Sequence, residues 1–546
     1  MSGLAKLSKH LGARCSGSDL NDSTAVKSLR DSGIGVGLEQ SAESLPGDCD
    51  LVVISAAIKD DHPELAEAVR RGIEVKKYAQ LLGELMIGRT GVAIAGTHGK
   101  STTTSMLSHI LIQTGLDPSF IVGANCQQIG GGVRVGQSDI LIAEACEYDR
   151  SFHNFFPTHA AILNVEADHL DLYSSLDEIV EAFKVFAQRI PPRIPRKDFP
   201  GNTQAPPAPS LSNDTPTPTP SLSNDTSTPT PRSINDTPAA TPSLSNDTPT
   251  ATPSLSNAKG RTPSGAASGG KASAGQTSGG IDSGGGVEGG TLLINHEMPH
   301  RIPITAELNC VVETIGFAPQ ADWRVGMKGN QARLHHGEDD EVGVMDWTPP
   351  MPGEHMAYNA AVAAITAHRL GAAWPDIAKA IEGFTGLDRR MQLMGYRHAD
   401  GSKADGSNPA EVITVVDDYG HHPTEVDTTL RALRHHYQPK RLICVFQPHQ
   451  HSRTRFFMDE FAASFSSADT VIVPHIYFVR DSEKERHAVT AGDLVDRLRG
   501  KDVQALHLYP FGAIIEQLEL ITRPGDLVVT MGAGNVWEVA RDFLGT

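Results

Sequence analysis

Val92-Ala-Ile-Ala95-Gly96-Thr97-His98-Gly99-Lys100-Ser101-Thr102-Thr103-Thr104 is the stretch on which the fold class turns. Its apolar start reads as a buried strand. A glycine-bounded turn follows, then a helix of small residues. Strand, glycine turn and helix in that order make a phosphate cradle. Backbone N–H groups from Gly96 to Gly99 surround phosphate oxygens, and Lys100 reaches the β- and γ-phosphates. The hydroxyl of Ser101 or Thr102 completes a Mg²⁺ shell.

Two more strands are expected in the same segment. Asp139 to Ala143 ends at Glu144, ahead of Ala145-Cys146-Glu147-Tyr148-Asp149. Ala160 to Val165 ends at Glu166-Ala167-Asp168-His169, before a helix over Leu176 to Ala187. Open α/β sheets place their sites at the carboxyl ends of strands. Glu144 and His169, with the loop hydroxyl, suit a divalent cation that already holds phosphates. Mg²⁺ prefers oxygen, so His169 fits better beside a second ion or one that accepts nitrogen.

Later residues repeat the strand–helix alternation. Strands are expected at Val412 to Val416, Arg441 to Phe446, Thr470 to Val473 and Leu527 to Met531. Helices at Pro423 to His435, Phe456 to Phe465 and Ala491 to Leu498 separate them. This predicts a second open α/β unit. Asp417-Asp418-Tyr419-Gly420-His421-His422-Pro423-Thr424-Glu425 follows the first of these strands. Gln447-Pro448-His449-Gln450-His451-Ser452-Arg453 follows the second and makes a cationic mouth suited to carboxylate or phosphate oxygens. The pair Arg389-Arg390 falls at a junction between units. Met531-Gly-Ala-Gly-Asn535 resembles a phosphate-binding turn. Strand character is also expected over Thr305 to Ile315, and helices over Asn359 to Gly371 and Trp374 to Glu382.

The chain has 546 residues, too many for a single core, and three domains are expected: 1–88, 89–386 and 387–546. Its net charge of -18 excludes general nucleic-acid binding. Six cysteines without a CxxC pair fit a reducing compartment. No secretion signal or long apolar run is present, so a cytoplasmic enzyme without membrane insertion is expected. Residues 191–290 interrupt the middle unit. Pro, Ser, Thr, Asn and Gly dominate there, and Ser-Leu-Ser-Asn-Asp-Thr recurs every eleven residues from Ser210. One Leu or Ile per repeat builds no core, so this stretch reads as a disordered insertion.

Together these strings resemble the Mur ligase family: GTHGK with its hydroxyl run, Glu144 through Asp149 to Phe152, and NxxxDH at Asn164 to His169. DRRMQ, DDYGHHPTE, the run from Gln447 through SRTR, and MGAGN complete the resemblance. It implies an α/β three-domain protein with an incomplete N-terminal Rossmann-like domain for a UDP sugar, a central P-loop ATPase-like domain and a C-terminal Rossmann-like domain for an amino acid. His98 and DDYGHHPTE match the member that adds the first amino acid. The implied activity is ATP-dependent joining of L-alanine to the lactyl carboxylate of UDP-N-acetylmuramate. A ligase that recycles a murein tripeptide is the near alternative, and a non-catalytic ATP-binding regulator a further one.

The resemblance implies ATP and Mg²⁺ as cofactors. Gly96, Thr97, His98, Gly99, Lys100, Ser101, Thr102, His355, Asn359, Arg389 and Arg390 are assigned to the nucleotide. Ser101, Glu144 and His169 are assigned to metal. Lys100, His169, Asp417, His421 and Arg453 are the catalytic candidates. Ser18, Asp19, Tyr419, His421, His449 and Arg453 are assigned to substrates. The chain departs from the family pattern at Cys146, Tyr148, Met356, Gln450 and His451. Met1-Ser-Gly-Leu matches the helix that follows the family's first strand and glycine turn, so the true start is expected upstream.

Overall fold

The computed structural model describes residues 1–170, 172–192, 289–337, 343–479 and 481–545. Nearly all of the expected insertion lies outside them.

A ten-stranded sheet forms the centre. An inner strand, β1 (Thr90–Ala95), is apolar on both faces and buried except at its first residue. Helix α1 (Lys100–Gln113) starts one turn later. Strand β2 (Ile140–Ala145) lies on one side of β1 and β3 (His159–Ile162) on the other, both parallel to it. The strand order therefore diverges at β1, where an open α/β sheet leaves a crevice at its carboxyl edge. Beyond β3 the sheet continues through Thr291–Asn295 and Val311–Gly316 to an antiparallel edge at Trp323–Lys328, Gln331–His336 and Met345–Trp347.

The strand expected over Thr305 to Ile315 is corrected. A short helix covers Arg301–Thr305, and the strand begins only at Val311. Pro303 lies inside that short helix, while Ile304 fills the core. The alanine-rich helix α2 (Glu354–Arg369) begins earlier than expected and packs almost wholly buried.

The second large sheet has seven strands. Strand β4 (Ile413–Asp418) continues through a turn into α3 (Pro423–Tyr437), with Pro423 at the first helical position and Glu425 reaching back to cap the helix start. Strand β5 (Leu442–Phe446) leads to the short helix α4 (His451–Phe456), and β6 (Leu527–Met531) sits between β4 and β5, parallel to both.

Near the start of the chain, Ser16–Ser18 pairs in parallel with Gly35–Gly37, and Leu51–Ile54 with Glu74–Lys77. They form two separate two-stranded sheets instead of one. At the other interruption the chain closes on itself. The Gly290 N–H donates to the Pro191 carbonyl at 3.0 Å, and Thr291 then joins the sheet beside His159. Among the described residues, no helix is long and apolar enough to cross a membrane.

Candidate active site

The loop after β1 is held from its far side. Asn164, just beyond β3, accepts from the His98 N–H at 2.7 Å and donates to the His98 carbonyl at 3.1 Å. The Thr97 hydroxyl accepts from the Glu166 N–H at 2.9 Å. Gly99 takes φ +83°, and a β-carbon there would stand 2.9 Å from Asn359 Oδ1. Glycine is required on both counts. The loop N–H groups are thus set in advance, and Asn359 of α2 closes one side.

Lys100 is buried. Its Nζ donates to Thr97 O at 3.0 Å and to Glu147 Oε2 at 2.9 Å. Burial opposes its charge, yet the Glu147 carboxylate outweighs this and raises the pKa. Glu144 accepts from the Gly123 N–H at 2.9 Å, and burial raises its carboxyl against that bond and the Ser101 hydroxyl. The Ser101–Glu144 pair is an oxygen donor set of the kind Mg²⁺ takes. His169 has φ +53°. Its Nε2 lies 3.7 Å from Glu147 and 3.8 Å from Asp168. Glu147 and Asp168 are therefore its acidic neighbours. His355, at the start of α2, has a buried Nδ1 with no hydrogen-bond partner among the described residues.

Residues of the second sheet meet this loop directly. Arg453 donates from Nη2 and Nε to Asp168 Oδ1 at 2.6 and 3.1 Å. Burial opposes ionisation of Asp168, but the Arg453 guanidinium outweighs it and holds the carboxyl far below the usual range. His422 Nε2 faces the Ala167 carbonyl at 3.1 Å, and the Thr424 hydroxyl donates to Glu166 at 2.6 Å. His98 Nδ1 lies 3.2 Å from Glu425 Oε1. Burial would lower the His98 pKa, but the Glu425 and Glu166 carboxylates raise it to about 10. Glu147, Glu166, Asp168, His422 and Glu425 were not assigned roles from the sequence, although all five sit in the strand-end strings that drew attention to their neighbours.

Asp417, a catalytic candidate from the sequence, is withdrawn from solvent at the end of β4. It is 0% exposed, accepts from Thr530 Oγ1 at 2.6 Å and from Arg389 Nε at 3.0 Å, and so lies beneath the site as a support for Arg389. The Arg389 and Arg390 guanidinium groups each lie 5.1 Å from the Tyr419 ring. His421 Nδ1 faces the Tyr419 carbonyl at 3.1 Å, so the ring carries its proton there and leaves Nε2 a lone pair. His449 Nδ1 lies 3.2 Å from Arg453. Asp168, His169, Gln450, Ser452 and Arg453 line a cavity of about 290 Å³. A second cavity of about 400 Å³ is lined by Met1, Ser55, Lys77, Tyr78, Asp149 and Asn154. Ser18 and Asp19 lie outside its lining. Ser18 instead donates to Glu64 at 2.7 Å, and Asp19 accepts from the Asn21 N–H.

Burial holds three histidines neutral, with pKa values of about 4: His159 (beside Arg369), His355 and His421. The unfolded chain takes up protons on them below about 6.5, and the fold refuses those protons until about 4. Stability is therefore expected to fall as pH drops from about 6.5 to 4. Urea unfolding at both ends of that window measures it, and His159→Gln should flatten the slope.

A glycine-bounded phosphate loop on one open parallel sheet, met by strand-end histidines and arginines of another, defines a nucleotide-dependent α/β protein. Three family models match the chain: "Mur ligase family, catalytic domain" over residues 1–90, "Mur ligase middle domain" over 94–194, and "Mur ligase, glutamate ligase domain" over 404–534. The UDP-N-acetylmuramate–L-alanine ligase of Caldanaerobacter subterraneus subsp. tengcongensis is 32% identical over 100% of this chain and 95% of its own length. That of Clostridium novyi is 32% identical over 100% and 94%. The solved UDP-N-acetylmuramate-alanine ligase of Thermotoga maritima superposes with a TM-score of 0.65 at 18% identity, covering 100% of this chain and 96% of that one. The chain belongs to the Mur ligase family.

Proposed function

We propose that this chain joins L-alanine to the lactyl carboxylate of UDP-N-acetylmuramate with conversion of ATP to ADP and phosphate, a step of peptidoglycan precursor synthesis. The observation that carries it is the fixed GTHGK loop with Lys100 at the mouth of β1, in a chain aligned end to end with curated ligases of that activity. The residues present fit ATP and Mg²⁺. The loop N–H groups and Lys100 would hold phosphates, the Ser101 hydroxyl and Glu144 carboxylate would hold the cation, and His355, with its unpartnered Nδ1, would meet the nucleotide. ATP with its cation supplies the phosphoryl group that activates the carboxylate.

A carboxylate does not accept an amine directly, because oxide is a poor leaving group. The lactyl oxygen attacks the γ-phosphorus and ADP departs, leaving an acyl phosphate. The L-alanine amine attacks the acyl carbon, and phosphate is expelled as the amide forms. Lys100 and Arg389 offset charge on the transferring oxygens. Asp417 positions Arg389. His421, neutral with a free Nε2, takes the proton that the amine loses. Arg453, pinned by Asp168, and His449 orient the amino-acid carboxylate. Docking of the second sheet over the loop keeps water from the acyl phosphate.

The test is phosphate release from ATP and Mg²⁺ with UDP-N-acetylmuramate, with and without L-alanine. Release that needs both acceptors is expected. Release supported by a murein tripeptide and not by L-alanine, or ATP binding without acceptor-dependent release, would overturn the assignment.

A further inference from the structure

A second cluster of ligating side chains lies beside the phosphate loop. A ring nitrogen of His98, a carboxylate oxygen of Glu166 and a ring nitrogen of His422 all fall within 4.8 Å of one another. His98 Nε2 and His422 Nδ1 stand 3.5 and 3.9 Å from Glu166 Oε2.

The far side of each ring fixes its tautomer. His98 Nδ1 faces Glu425 Oε1 at 3.2 Å, an acceptor that keeps the Nδ1 N–H, so the proton an incoming ion displaces from this charged ring is the one on Nε2, toward Glu166. His422 Nε2 faces the Ala167 carbonyl at 3.1 Å, so its N–H is there and its lone pair is on Nδ1. Glu425 is itself held by the His421 N–H at 3.0 Å. A carboxylate or carbonyl behind the ring is the usual support of a metal-binding imidazole. His98 Nε2 is buried and makes no hydrogen bond among the described residues.

We propose that His98, Glu166 and His422 form a site for a zinc-class transition-metal ion, which ties the phosphate loop to the start of α3. Two imidazoles and one carboxylate favour Zn²⁺ or Co²⁺ over Mg²⁺. Tetrahedral bonds of roughly 2.1 Å place ligand atoms roughly 3.4 Å apart. The Glu166 pairs are near that separation, and the two rings, within 4.8 Å of each other, need to approach by up to about 1.4 Å. Water completes the shell. A proton on His98 Nε2 is the competing occupant, so binding strengthens with pH and releases a proton. The site uses no atom of Ser101, Glu144 or His169, and it does not depend on the ligation reaction.

Titration of the full chain with Co²⁺, without ATP and in mildly alkaline buffer, tests this. One equivalent should bring up the visible bands of four-coordinate Co²⁺, displaced by Zn²⁺ and not by excess Mg²⁺. Binding should weaken at least about tenfold in His422→Gln and in Glu166→Gln, and stay unchanged in His169→Ala. His422→Cys should keep the ion and add a sulfur-to-cobalt charge-transfer band, which loss of folding could not produce. Absence of the bands in the wild type, their persistence in His422→Gln, or their loss in His169→Ala would overturn the proposal.

Discussion

Lys100→Ala is expected to lower acceptor-dependent phosphate release by about 10³-fold or more. Lys100 begins α1 at the mouth of the loop, and its ammonium is the cation closest to the loop carbonyls of Gly96 and Thr97. Phosphoryl transfer asks a protein mainly for positioning and for charge placed where the equatorial oxygens will be. The same substitution strips Glu147, which is 3% exposed, of its ion pair. An unpaired buried carboxylate costs about 3–5 kcal/mol, so unfolding must be measured beside turnover. The double variant Lys100→Ala/Glu147→Gln separates the two effects. Stability should return toward wild type while release stays absent. A normal rate in Lys100→Ala would remove the basis of the proposed mechanism.

Arg453→Ala should lower kcat/KM by about 10²-fold, and Arg453→Lys should recover little of it. Arg453 reaches from α4 to Asp168 with two guanidinium nitrogens, and both side chains are almost fully buried. A lysine offers no fork and leaves one of these bonds unmade. If Arg453 only met the amino acid, the loss would appear in the KM for L-alanine alone. The bridge to Asp168 implies more: faster amide hydrogen exchange over residues 166–170, and the same faster exchange in Asp168→Asn. Wild-type exchange in both variants would exclude the bridge as a fastening between the sheets.

The parts of the fold legible in sequence were those with a local signature. Val92 to Ala95, Val412 to Val416 and Leu527 to Met531 are short apolar runs bounded by turn residues, and each became a buried strand. The hairpin of Trp323–Lys328 and Gln331–His336 passed unnoticed, although Gly329-Asn330 is a fitting two-residue turn. Its strands alternate exposed and buried positions and carry Arg, Lys and His, so no apolar run announces them.

The candidate site was legible as strings and not as pairs. Glu144 and Glu147 differ by three residues. Which one meets Lys100 depends on the turn after β2, where Asp149 and Arg150 take left-handed backbone angles. Asp417 drew attention because charge clusters in its string, but its partners Thr530 and Arg389 lie far away in sequence and no local pattern names them. The contact of Arg453 with Asp168 spans 285 positions of sequence, beyond any local pattern.

The meeting of Pro191 with Gly290 has a consequence for how the chain can be divided. The strand at His159–Ile162 and the strand at Thr291–Asn295 lie side by side, one before the break and one after it. The covalent path between them is therefore not what holds them in register. Residues 1–192 and 289–546, produced as two separate polypeptides, should find each other through that ladder and reconstitute one working enzyme. The two halves would then form a split protein whose activity reports their reunion.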